Sequence, residues 1–64
     1  MAKYETYARL RDAKGYNDYK MSKETGIGTA TFSDWKHNRT TPKVDKLIAI
    51  AKVLGIEVTQ LLEV

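Results

Sequence analysis

Between positions 36 and 46 the chain carries Lys36, His37, Arg39, Lys43 and Lys46. Cations gathered in this way suit the phosphates of a nucleic acid, since each phosphate they neutralise releases a condensed counterion. The same group has a plainer reading as a solvated surface. Directly before it, Thr29, Ala30, Thr31, Ser33 and Asp34 alternate with Phe32 and Trp35. At helical spacing the two aromatics form a buried face and the short residues an outward one.

Two elements must position these groups, and both lie in the stretch Asn17 to Trp35, NDYKMSKETGIGTATFSDW. It reads as two short helical patterns joined by a tight turn at Gly26-Ile27-Gly28. That spacing lets two helices cross steeply, with the second pushed outward into a DNA groove, and predicts a helix-turn-helix over about residues 17 to 37. Asn17 or Asp18 is the N-cap of the first helix, because either side chain accepts from free first-turn amides. Met21 and Thr25, four apart, form its inner face. Gly26 ends it in the left-handed conformation, and Ile27 plugs the turn. Gly28 or Thr29 opens the second helix, and His37-Asn38 closes it.

The remaining pattern is helical too. Tyr4, Tyr7, Leu10 and Ala13 recur every three residues, with Gly15 closing that segment. Arg39-Thr40-Thr41-Pro42 is a polar loop; either Thr41 caps the next helix with Pro42 at its first position, or Lys43 is the boundary. Val44, Leu47, Ile48, Ala51 and Leu54, with Ile50, give the cleanest apolar stripe, which Gly55 ends and Ile56 tucks under. Val58 to Leu62 reads as a last short helix opened by Thr59 or Glu57. The expected fold is all-α, with five short helices in a single domain over residues 1–64.

Composition narrows the function. A chain of 64 residues buries only about 60% of its unfolded surface, which disfavours a deep pocket. It has no cysteine and one histidine, so disulfides and a zinc-stapled fold are excluded and no metal is expected. The net charge of +3 favours an anionic partner. No apolar run approaches the roughly 18 residues of a membrane span, and no signal-peptide segment opens the chain. Cytoplasmic location is expected. No nucleophile has a base placed by motif, and neither a glycine-rich phosphate loop nor HExxH is present. Neither catalysis nor a cofactor nor a small-molecule ligand is expected.

The pattern of Leu10-Arg11, Gly15-Tyr16, Met21, Gly26-Ile27, Phe32, Trp35, Pro42, Leu47, the run Ile50 to Ile56, and Leu61 resembles the Cro/C1-type helix-turn-helix family, the phage-repressor and xenobiotic-response-element-like regulators. The similarity runs over roughly residues 7 to 62. It implies a compact five-helix, lambda-repressor-like domain in a bacterial cell, phage- or mobile-element-encoded, that binds double-stranded operator DNA, usually as a dimer. Its third helix enters the major groove. By position Thr29, Ala30 and Asp34, with Thr31 close behind, match the family's base readers. Asn17, Lys36, His37, Arg39, Thr40 and Lys43 then fix register on phosphates without reading sequence, and the Tyr19 hydroxyl bonds a phosphate from the outer side of the preceding helix.

Three departures from the family stand out. Asp18 occupies the place of a DNA-touching glutamine, so it is expected to cap the helix rather than meet a phosphate. Lys36 stands where a glutamate often pairs with the arginine matching Arg11, which removes that ion pair and frees Lys36 for phosphate. The third is the shortness of the reading residues, which favours thymine methyls and water-bridged contacts over bidentate bonds.

Each signal has a plainer alternative. Phe32 and Trp35 read as core rather than as stacking platforms, and the four tyrosines as packed with wet hydroxyls. His37 reads as a surface group near the DNA backbone rather than a pH sensor or metal ligand. Asp34 either accepts from a cytosine amino group or pairs with a neighbouring lysine. Asp12 and Glu5 are expected in i,i+4 pairs. The runner-up function is a protein-interaction module, an antirepressor or regulatory partner, that has lost DNA affinity; Asp18 and Asp34 favour it, and the cation cluster opposes it. Val58, Leu61, Leu62 and Val64 offer either a homodimer surface or a cap on the core. With no further domain expected after them, dimerisation is weak and DNA-assisted, or the chain is a fragment.

Overall fold

A computed structural model describes residues 2–62. Four α-helices follow one another: α1 Tyr4–Ala13, α2 Asp18–Thr25, α3 Thr29–Lys36 and α4 Val44–Leu54. The expected fifth helix is a single 3-10 turn, Val58–Gln60, whose Glu57 amide donates to the Gln60 side chain. The segment between Gly55 and the last core residue, Leu61, is too short for an α-helix to propagate beyond its nucleus. No strand occurs among the described residues.

The helices converge on Tyr7, Met21, Ile27, Phe32, Trp35, Leu47, Ile50, Leu54 and Leu61, all buried. Ile27 plugs the turn as its position required. Gly26 turns the chain at φ 78°, and its amide donates to the Ser22 carbonyl. Asn38 adopts the same left-handed region at φ 59°, ending the run after α3. Of the two boundaries open for α4, Lys43 is the N-cap.

Several apolar positions fall elsewhere than periodicity suggested. The buried stripe of α4 is Leu47, Ile50, Ala51 and Leu54, which leaves Val44 and Ile48 on an exposed shoulder at 57% and 41%. The apolar arc of α4 is wider than the face its neighbours cover. Ala13 is likewise exposed, at the end of α1. Leu61 is fully packed and unavailable to a second subunit, Val58 is half-buried against the same core, and Leu62 is exposed. Val64 lies outside the described residues.

Candidate nucleic-acid interface

The outward face of α3 begins with no bulk and no negative charge. Gly28 is its N-cap and the first turn holds no acidic residue, so the positive end of the helix dipole is open to an anion. Thr29, Ala30 and Ser33 are exposed and Thr31 is half-buried, while Phe32 and Trp35 face the core. The two aromatics are thus held by packing rather than offered for stacking. Trp35 stacks on Tyr7 at 4.9 Å between centroids, and Phe32 stacks on the same ring at 5.5 Å.

The cations follow this face along the chain. Lys36, His37, Arg39, Thr40 and Lys43 are all exposed, along the end of α3 and the loop after it. His37 Nδ1 lies 2.8 Å from the Ser33 carbonyl. Because a carbonyl only accepts, Nδ1 carries the hydrogen and Nε2 points away. Asp34 is half-buried and accepts from Arg39 Nη1 at 3.1 Å, so its partner is an arginine five residues on rather than a lysine. Such a surface pair contributes little stability and is readily exchanged for a phosphate.

On α2, Asn17 is the N-cap: its Oδ1 accepts from the Lys20 amide at 2.8 Å, which leaves its side-chain NH2 to donate outward. Tyr19 is 64% exposed on the outer side of the helix. Sequence reasoning passed over Lys20 and Lys23. The Lys20 ammonium sits 4.8 Å from the Tyr16 ring and that of Lys23 5.2 Å from Tyr19. Tyr19 and Lys23 are an i,i+4 pair on α2, and that spacing was the available signal for Lys23, whereas Tyr16 lies ahead of the helix N-cap.

Asp18 is neither the cap nor a group facing phosphate. Its carboxylate turns inward against α1 and accepts from Tyr4 Oη at 2.6 Å, Tyr7 Oη at 2.7 Å and Arg11 Nη1 at 2.8 Å. Arg11 Nη1 also reaches Tyr4 Oη at 2.9 Å, and its guanidinium lies over both tyrosine rings. Arg11 therefore has an ion-pair partner after all, supplied from α2 instead of α3. The hydroxyls of Tyr4 and Tyr7 are committed to this carboxylate rather than wet. Asp12, expected in an i,i+4 pair, bonds its neighbour Arg11 at 2.8 Å.

Burial pushes the Asp18 carboxyl up, yet the hydrogen bonds from Tyr4, Tyr7 and Arg11 together outweigh it and hold the group below its ordinary 3.8. Burial first, then the bond to Asp18, lifts the Tyr7 phenol far above its ordinary 10.0. A depressed carboxyl contributes stability that is present above its unfolded value and lost as pH falls through the folded one. A raised phenol contributes below its unfolded value and loses that contribution as pH rises past it. Denaturant unfolding should therefore show a plateau with an acid arm below about pH 4 and an alkaline arm above about pH 10. Asp18→Asn is expected to flatten the acid arm; an unchanged arm in that variant would mean another carboxyl produces it.

Among the described residues no group of three or more His, Cys, Asp or Glu side chains is placed to hold a metal ion. Nor is any helix there long and apolar enough to cross a membrane. One shallow groove, lined by Thr6, Arg9, Leu10, Thr59 and Gln60, involves none of the outward residues of α3.

The family model for the Cro/C1-type HTH DNA-binding domain matches residues 8–64. Neither the curated proteins nor the solved structures contain a match to the chain. With α2, the Gly26 turn and α3 in the required order and that match spanning most of its length, the chain belongs to the Cro/C1-type helix-turn-helix DNA-binding family.

Proposed function

We propose that this domain is a phage-repressor-like transcriptional regulator that binds operator DNA with α3 in the major groove. The observation that carries the reading is the exposed, small-residue start of α3, with exposed polar and cationic groups on the elements before and after it. Asn17, Tyr19, Lys20 and Lys23 are exposed at and along α2, before it in the chain; Lys36, His37, Arg39, Thr40 and Lys43 are exposed at the end of α3 and in the segment after it. Eight residues of helix extend about 12 Å, close to the width of the groove. Thr29, Ala30, Thr31 and Asp34 meet base edges, and the flanking groups hold phosphates. Asp34 joins the readers once Arg39 exchanges it for a phosphate.

The protein-interaction alternative loses much of its support, because Asp18, one of the two carboxylates that favoured it, is turned into the protein. Two-fold binding by a homodimer is the partner reading, with Leu62 as the exposed member of the C-terminal apolar set among the described residues.

Selection from a random duplex pool tests these statements together. The wild-type chain is expected to enrich a defined sequence, two-fold symmetric if it binds as a dimer. Ala30→Gln, which adds an amide able to bond adenine in bidentate fashion, should shift the enriched bases at one position while leaving the circular dichroism spectrum unchanged. An identical enriched sequence for both proteins would show that α3 is not the reader.

A further inference from the structure

The carboxylate of Asp18 gathers three donors from a neighbouring helix, and the residues on either side of it, Asn17 and Tyr19, are both assigned to phosphate. A helix of eight residues has too few turns to fix its own direction, so its ends must be tied to something rigid. Here the N-terminal end is tied to Tyr4, Tyr7 and Arg11 of α1. The same two rings meet α3: Tyr7 stacks on Trp35 and Phe32, and Tyr4 meets Trp35 edge-on at 5.7 Å. The start of α2 and the inner face of α3 are therefore referenced to one pair of tyrosines.

We propose that the Tyr4–Tyr7–Arg11–Asp18 hub sets the N-terminal turn of α2 against α3, and that Asp18 is thereby a positioning residue for the phosphate contacts of Asn17 and Tyr19. The inference rests on the DNA-binding reading of α2. Turning the carboxylate inward does two things in one contact. It removes a negative charge from the side a phosphate approaches, and it fixes the backbone on either side of it, from which Asn17 and Tyr19 project. Charge-assisted bonds from a guanidinium and two phenols make the orientation rigid rather than one of several rotamers.

Phosphate-ethylation interference on the duplex selected by the wild-type chain tests this. Interfering phosphates divide into those lost in a Lys36→Ala variant and those it retains. Asp18→Asn is expected to bind about tenfold more weakly, because the turn that carries Asn17 and Tyr19 is no longer held by charge-assisted bonds, and to lose interference only among the phosphates that Lys36→Ala retains. Tyr4→Phe keeps the ring and removes one hydroxyl, so it should repeat the pattern at about threefold. A wild-type footprint in both variants, or uniform fading of every phosphate, would overturn the proposal, since a merely structural role weakens all contacts alike. If Asp18→Asn does not fold, the Tyr4→Phe footprint decides alone. A wild-type chain that leaves no footprint sinks the DNA-binding reading itself, and this inference with it.

Discussion

Replacing Lys36, Arg39 and Lys43 together with alanine should lower the slope of log K against log salt by about three. All three side chains are exposed, Lys36 at the last residue of α3 and Arg39 and Lys43 in the segment that follows it. Each phosphate contact contributes about 0.9 to the slope on B-form DNA, because the counterion released on binding returns to a more concentrated solution as salt rises. Between about 50 and 200 mM salt, the wild-type chain should therefore lose about 40-fold more affinity than the triple variant. The substitutions touch no core residue. Arg39 gives up only its exposed bond to Asp34, so the melting temperature should stay nearly constant. Fluorescence anisotropy on random-sequence duplex reads the slope, and Lys52→Ala, in the last turn of α4, supplies a control expected to leave it unchanged. A fall of less than one would reduce the cation cluster to a solvated surface. The loss should be uniform across sequences, because phosphates carry no base identity.

The parts of this fold that sequence made legible are those decided within one turn of the chain. Gly26 could be read because a left-handed residue is required where a two-turn helix stops and reverses. Phe32 and Trp35 could be read because their spacing leaves one face for the core. Asp18 could not. Its partners lie 7, 11 and 14 residues away on another helix, and nothing local says whether a first-turn carboxylate faces its own amides, a phosphate or a neighbour. Asn17 takes the capping role, which frees Asp18 for α1. Val44 and Ile48 misled for a related reason: periodicity reports that a helix has an apolar side, while its neighbours decide how much of that side is covered. In the candidate interface the pairing of Asp34 with Arg39 needed the turn at Asn38 to bring them together. Lys23 was legible by its i,i+4 spacing from Tyr19 on α2, whereas the contact of Lys20 with Tyr16 depends on how the chain enters the helix.

Trp35→Ala should unfold the domain or come close to it, although the next residue, Lys36, is exposed and should tolerate alanine. The Trp35 indole is 2% exposed, stacks on Tyr7, meets Tyr4 edge-on, and directs Nε1 toward the Ala2 carbonyl at 3.5 Å. Truncating a buried tryptophan costs about 3–5 kcal/mol in lost transfer energy and cavity. A domain of this size has about 3–10 kcal/mol in total. The melting temperature should fall by about 15–30 °C, and the loss should extend to Tyr7, whose ring would then lack one of its two stacking partners. Trp35→Phe keeps a ring against Tyr7 and should lose less than half as much. Thermal melts followed by circular dichroism separate the two variants, and a drop under about 5 °C for alanine would show that the aromatic stack does not hold α1 to α3. The contrast with Lys36 locates the boundary between fold and function at a single peptide bond. One side chain points into the stack that orients the helix, and the next points to solvent, where its loss should change only how the protein meets phosphate.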